Sequence, residues 1–384
     1  VKTALAAAGA LLATLVLLEL GVAGMVRAGW LDLPAPRHGP DLLWDGEDPR
    51  FGVWHHPNAQ AMLASDCFQV GYRTNSVGAR DVERSLEAEA PRIVVLGDSF
   101  AEGWGVRPRE RFSNRLEQST GLEHLNFGMA HFGPYQAALA YRELASRYAH
   151  TGVILALVPV NDFVDLDFES AKGATAYEHR YRPYLVRDGA GFRRYDHREP
   201  ALARWLRRHT WLHAAADRAL VLWRRRLFGA SAYGAYDAPP GFSWFYDFSK
   251  AQIALLEASL EQIAQAAGER RLAIVLIPSR SDLERYERDG PDPLSARLAE
   301  FASRRGARIV NLLPPLHAAA RGTLERFKRY ELPCDYHWNA DAHALAARLI
   351  ERELAGYLYP LASGSGADEA RSAESARARE RVSR

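Results

Sequence analysis

Four short stretches carry side chains that could do chemistry together. Residues 94–99, "VVLGDS", end an apolar run in a small turn that presents the hydroxyl of Ser99. Asn126-Phe127-Gly128 follows a second apolar run, Asn161-Asp162 a third, and Asp335-Tyr336-His337 lies past a fifth. Cleaving an ester needs a nucleophile, a base, a group that holds the base, and donors for the oxyanion. Ser99 can attack. His337 can take its proton, since imidazole is the side chain that titrates nearest neutrality. Asp335 can fix the imidazole tautomer. The Ser99 N–H, the Gly128 N–H, which no side chain blocks, and the Asn161 amide can serve as the oxyanion hole. Taken alone, a Ser after a strand and before a helix is more often an N-cap than a nucleophile, so the case rests on what stands at the other strand ends.

The elements that must gather these residues are legible as a repeating order. Residues 92–97, 124–127, 152–158, 272–278 and 307–311 read as strands, and 109–120, 134–149, 250–268, 293–306 and 340–358 as helices. Most of the strands are continuous apolar runs, which marks strands covered on both faces and hence a parallel sheet. Right-handed crossovers then give an α/β fold, a three-layer α/β/α sandwich on a five-stranded parallel sheet. In such sheets chemistry sits at the carboxyl ends of the strands, where all four stretches lie. Asn339 reads as the N-cap of the last helix and His343 as a packing or surface residue.

The four blocks resemble those of the SGNH (GDSL-type) hydrolase family. Gly97-Asp98-Ser99 matches the first block, Gly128 the second, Asn161-Asp162 the third and the Asp335/His337 pair the last. "YRTNSVGARD", residues 72–81, is similar to the lead-in of membrane-anchored bacterial members. The resemblance covers roughly residues 92–358 without the insertion described below. It implies a flavodoxin-like sheet and carboxyl-ester chemistry with no cofactor and no metal. Two positions depart from the pattern. Pro159 stands where the third block has Gly, and the last block is D-x-H rather than D-x-x-H. The form Asp335-Tyr336-His337-Trp338-Asn339 is similar to that of alginate-acetylating proteins of the same superfamily, in which the Asp-His pair precedes the serine.

The 384 residues carry a net charge of +2, are 48% hydrophobic and contain two cysteines. That balance gives no sign of a nucleic-acid partner. No phosphate-binding glycine loop and no Cys/His cluster is present. Cys67 and Cys334 could pair as a disulfide outside the cytoplasm, or be two unrelated buried thiols. Residues 4–26, in which Glu19 is the only charge, can cross a hydrocarbon core ~30 Å thick. They read as a signal anchor within 1–29, with a cleaved signal peptide as the alternative. Residues 30–90 are expected to be a lead-in with short strands, 91–361 the catalytic domain, and 362–384 a disordered tail.

Residues 165–248 interrupt the order as an insertion, with a hairpin around Asp188-Gly189 and amphipathic helical patterning from 201 to 228. Between 180 and 226 there are thirteen Arg and four acidic residues. This basic stretch reads as a solvated face, a lid, a grip on an anionic polymer or a contact with anionic headgroups. The functional expectation is an extracytoplasmic, membrane-anchored serine esterase that cleaves small acyl esters, such as acetyl groups on envelope glycan, through an acyl-enzyme on Ser99. The alternatives are an O-acetyltransferase acting on polysaccharide with a membrane acyl-donor protein, a lipid esterase, and a silent glycan-binding module.

Overall fold

Continuous apolar runs bounded by Gly, Pro and Asn settle into a central sheet with helices on both faces. The computed structural model describes residues 2–33, 43–45, 48–169, 180–228 and 241–359. The expected disordered tail, 362–384, lies outside the described residues.

The chain opens with helix α1 (Lys2–Arg27), long and apolar enough to cross a membrane. Strands β1 (Trp44–Asp45) and β2 (Trp54–His55) pair antiparallel, as do β3 (Gln60–Ala64) and β4 (Gln69–Arg73). Next come β5 (Ile93–Leu96), α2 (Ser99–Glu102), α3 (Phe112–Thr120), β6 (His124–Asn126), α4 (Pro134–Glu143), β7 (Gly152–Leu157) and α5 (Pro159–Leu166). The insertion holds the hairpin β8 (Pro183–Asp188) and β9 (Gly191–Asp196), then α6 (Ala201–His209) and α7 (Trp211–Phe228). The order resumes with α8 (Lys250–Ala267), β10 (Arg271–Leu276), α9 (Arg280–Asp289), α10 (Pro293–Arg305) and β11 (Arg308–Asn311). It closes with α11 (Leu313–Ala319), α12 (Leu324–Phe327) and α13 (Ala340–Leu354).

Five strands form one parallel sheet in the order β6-β5-β7-β10-β11. Numbered along the chain this is 2-1-3-4-5, the flavodoxin-like order. β5 and β7 are buried over their whole length, because helices cover both faces. α3 packs with α13 on one face and α4 with α8 on the other. The strand order reverses between β5 and β7, and the crevice at that switch point is where such sheets bind ligands. Ser99 follows β5 directly.

The lead-in shares the core of the sheet. Phe51, Val53 and Trp54 join the same apolar cluster as the central strands. Arg80 is fully buried and donates to the carbonyls of Glu102 and Val106, at 3.1 and 2.8 Å, and to that of Gly103. Its guanidinium lies over the Tyr72 ring, 3.6 Å from the centroid. One side chain of the lead-in therefore satisfies the last carbonyl of the four-residue helix α2, that of its cap Gly103 and that of Val106 in the turn beyond. Removing a buried charge of this kind strands its partners. Arg80→Met is expected to lower the unfolding free energy by about 3 kcal/mol or more. Urea denaturation of the full chain in detergent, followed by tryptophan fluorescence, reads this; a loss below about 0.5 kcal/mol would refute the role given to Arg80.

Candidate active site

β5 ends at Leu96 and is followed by Gly97, whose φ of 144° lies outside the range of most L-residues. A Cβ there would stand 2.8 Å from the Ala156 carbonyl oxygen and 2.9 Å from the Ala101 Cβ. The turn is tight because β7 runs alongside. Asp98, not Ser99, takes the capping role: its Oδ1 accepts from the Phe100 N–H at 2.9 Å. Ser99 is thereby placed as the first residue of α2.

Three side chains form a hydrogen-bonded chain. Ser99 Oγ lies 2.8 Å from His337 Nε2, and His337 Nδ1 lies 2.8 Å from Asp335 Oδ1. An ionised carboxylate can only accept, so Nδ1 carries the proton and Nε2 offers its lone pair to the serine hydroxyl. Burial pulls the Asp335 carboxyl upward, but the bonds and charge of His337 and the Trp104 N–H outweigh it and hold it below its ordinary value. The one-residue spacing between Asp335 and His337 works because the loop also bonds the His337 N–H to the same oxygen, at 3.3 Å. Ser99 and His337 are 6% and 9% exposed, whereas the neighbouring Tyr336 is 52% exposed and stacks on the imidazole with ring centroids 4.7 Å apart.

Sequence reasoning missed Trp104. Its indole Nε1 donates to Asp335 Oδ2 at 3.1 Å, on the oxygen that His337 leaves open. Trp104 in turn stacks on Trp44 and meets Phe68 edge-on, so the lead-in holds it. A signal was present: Gly103 and Gly105 flank it, both at positive φ, and together make a turn that aims the indole back at the site.

The oxyanion donors are arranged differently from expectation at Gly128. Its N–H donates to Asn126 Oδ1 at 2.9 Å instead of pointing free into the site. Gly128 lacks a side chain for another reason. A Cβ there would stand 2.6 Å from the Glu102 backbone nitrogen, so the glycine lets the β6–α4 loop close on α2. The Ser99 N–H has no partner among the described residues. The Asn161 amide donates one hydrogen to Asp98 Oδ2, at 2.8 Å, and keeps a second. Pro159, the departure in the third block, sits at the first position of α5. An N–H is dispensable there, so proline starts the helix that carries Asn161. Asn339 caps α13, accepting from Asp341 and Ala342, and His343 is buried against Phe112.

Cys67 and Cys334 form a disulfide, with Cα atoms 5.5 Å apart. It ties the β3–β4 turn to the residue before Asp335. Among the described residues, no three His, Cys, Asp or Glu side chains are grouped to hold a metal ion.

A cluster of buried carboxyls stands behind the serine. Asp165 pairs with the buried Arg182 of the insertion, which also donates to the His131 carbonyl. Burial pushes the Asp98 carboxyl up to about 6, against the hydrogen bonds from Asn161 and Phe100. Asp162 is raised as well, by burial and by the charges of Asp98 and Asp165.

No family model matches this chain, nor does any curated protein. Solved structures similar to it are described as lipolytic proteins and esterases. One is a member of the lipolytic G-D-S-L family from Veillonella parvula, 12% identical, with a TM-score of 0.35, covering 68% of this chain and 97% of that one. A second, a putative lipolytic protein of the same family from Desulfitobacterium hafniense, is 9% identical with a TM-score of 0.36 over 69% and 100% of the two chains. A psychrotrophic esterase from Pseudoalteromonas is 12% identical with a TM-score of 0.36 over 70% and 99%.

The carboxyl pair sets a pH dependence. Folding raises both groups, so the folded chain keeps protons that the unfolded chain releases near pH 4. Stability contributed by the pair therefore falls as pH rises from about 4 through about 6. Asp162→Asn keeps an acceptor for the Val158 N–H and removes one of the charges. The variant is expected to be more stable than wild type by about 1–3 kcal/mol near pH 7, with the gap closing near pH 4. Equal gaps at both ends of a denaturation series across this range would contradict the assignment.

Proposed function

We propose that the chain is a membrane-anchored serine esterase that removes small acyl groups, acetyl foremost, from glycans outside the cytoplasm. The observation that carries this reading is the Ser99–His337–Asp335 chain at the switch point of the sheet. Ser99 Oγ attacks the ester carbonyl carbon while His337 Nε2 takes the hydroxyl proton. The tetrahedral oxyanion is met by the Ser99 N–H and the second hydrogen of the Asn161 amide. The Gly128 N–H can join them only by giving up Asn126 Oδ1. Collapse expels the alcohol, which takes the proton from His337, and leaves an acyl group on Ser99 Oγ. Water then repeats the sequence in reverse and releases the acid. Asp335 holds the Nδ1–H throughout and stabilises the imidazolium, and Trp104 holds Asp335.

The exposed ring of Tyr336, lying over the imidazole, offers a flat face on which a sugar ring could rest at the mouth of the site. The disulfide supports an oxidising compartment, and α1 supports attachment to its membrane. A second reading is favoured by the Asp335-x-His337-Trp338-Asn339 spacing. In it a glycan hydroxyl replaces water in the second half, which makes the chain an O-acetyltransferase served by a membrane acyl donor.

The test is release of p-nitrophenol from acetyl, butyryl and octanoyl esters by the full chain in detergent. Turnover of the acetyl ester is expected to fall about 1000-fold or more in Ser99→Ala and in His337→Ala. Trp104→Phe removes one hydrogen bond to a carboxylate and is expected to lower kcat about tenfold or more. Retention of more than about a tenth of the activity in Ser99→Ala would remove the acyl-enzyme from consideration. A preference for octanoyl would favour a lipid substrate over a glycan acetyl group.

A further inference from the structure

Glu19, the single acidic residue of α1, does not face lipid. Its two carboxylate oxygens accept from the backbone N–H groups of Trp211 and Leu212, at 2.7 and 2.8 Å. These are the first residues of α7, where a negative charge is favoured by the helix dipole and by open N–H donors. The packing of α1 follows the same stripe. Val22 and Ala23 are buried and Glu19 and Val26 half-buried, while residues 2–18 are exposed throughout. Glu19 stands roughly 26 Å along the axis from Lys2 at ~1.5 Å per residue. That is close to the full depth of a ~30 Å hydrocarbon core. With Lys2 at one edge of such a core, the start of α7 would lie near the level of the other edge.

The helix pair α6–α7 has an unusual surface for a piece of a folded domain. α6 buries no residue. Leu202, Trp205, Leu222 and Trp223 are 69%, 55%, 51% and 54% exposed. Among the other described residues outside α1 and Trp30 the exposed large apolar side chains stand singly, at Met62, Val82, Leu86 and Tyr336. Across residues 201–228 there are seven Arg and one acidic residue, Asp217; two of the seven, Arg204 and Arg207, lie against the buried Glu199 just before α6, which still leaves the pair with an excess of positive charge. An anionic polymer would use the arginines and leave the tryptophans and leucines in water. A bilayer surface takes both: indoles and leucines enter the headgroup–acyl boundary, and arginines meet lipid phosphates.

We infer that α6–α7 is a second membrane contact, an interfacial helix pair lying in the headgroup layer of an anionic bilayer and clasped to the anchor by Glu19. The contact does not depend on the chemistry of Ser99 and is read without turnover.

The test uses the full chain in lipid nanodiscs, with nitroxide labels on Leu202→Cys, Trp223→Cys and a control, Glu325→Cys, whose side chain is 82% exposed on the sheet domain. Collision with oxygen, which concentrates in lipid, is compared with collision with a water-soluble nickel chelate. The oxygen-to-nickel ratio at 202 and 223 is expected to be severalfold that at 325, and to rise further when phosphatidylglycerol is added to phosphatidylcholine. In Glu19→Gln the labels at 202 and 223 are expected to become more mobile and lose part of that ratio. Ratios at 202 and 223 equal to that at 325 would overturn the contact, as would shielding that comes only when an acidic polyuronate is added. Unchanged labels in Glu19→Gln would overturn the clasp.

Discussion

The buried carboxylate of Glu102 is the constraint on which the site depends. It is fully enclosed, at the end of the short helix that carries Ser99. A charge taken out of water must be matched within the protein. The matching groups come from three separate stretches of chain. His55 Nε2 of the lead-in lies 3.1 Å from Oε1, and the Ala130 N–H of the β6–α4 loop donates to Oε2 at 2.6 Å. Arg80 spans the adjoining carbonyls. Burial alone would raise the Glu102 carboxyl; His55, Arg80 and the Ala130 N–H reverse that and hold it low. The helix that carries Ser99 is therefore held in place jointly by the lead-in and the β6–α4 loop. This is why residues 48–82 belong structurally with the Ser99 helix and are not a mere connection to it.

The sheet was legible because its strands are apolar on both faces, a pattern that period-2 strands of an open sheet do not share. The strand-end residues were legible because a parallel sheet brings all carboxyl ends to one edge, so order along the chain becomes proximity in space. The insertion's hairpin was also legible, from its turn; Gly189 adopts a positive φ between β8 and β9. What stayed hidden depends on contacts between distant segments. Nothing local marks Glu102 as the partner of His55, 47 positions earlier. The Gly128 N–H looked free because the competing acceptor, Asn126 Oδ1, turns inward only when Asn126 Nδ2 bonds Ala101 and Ser113. The capping role of Asp98 was hidden by the prominence of the serine beside it.

The site is costly to fold. Three carboxyls, Asp98, Asp162 and Asp165, are buried close behind Ser99, and among the described residues only Asp165 has a full ionic partner, Arg182. Arg182 belongs to the insertion, and the next residue, Pro183, has its carbonyl taken by the buried Gln136 side chain, at 2.6 Å. The insertion is thus tied in behind Ser99 at its base through Arg182 and Pro183, while its far helix α7 lies against α1. A single segment joins the rear of the active site to the membrane anchor.

The distance along the chain between the serine and its base has a consequence for biogenesis. Ser99 and His337 are 238 positions apart, and the disulfide beside the base closes a span of 267. A nascent or translocating chain that has emerged as far as β11 already owns the nucleophile, the capped turn and the Asn161 amide. It lacks the imidazole, the carboxylate that orients it and the bridge that fastens their loop. Under the proposed chemistry such a chain is a zymogen by timing: the hydroxyl is present without its base, and the proposed reactivity arrives only with the last portion of the domain and the closing of the Cys67–Cys334 bridge.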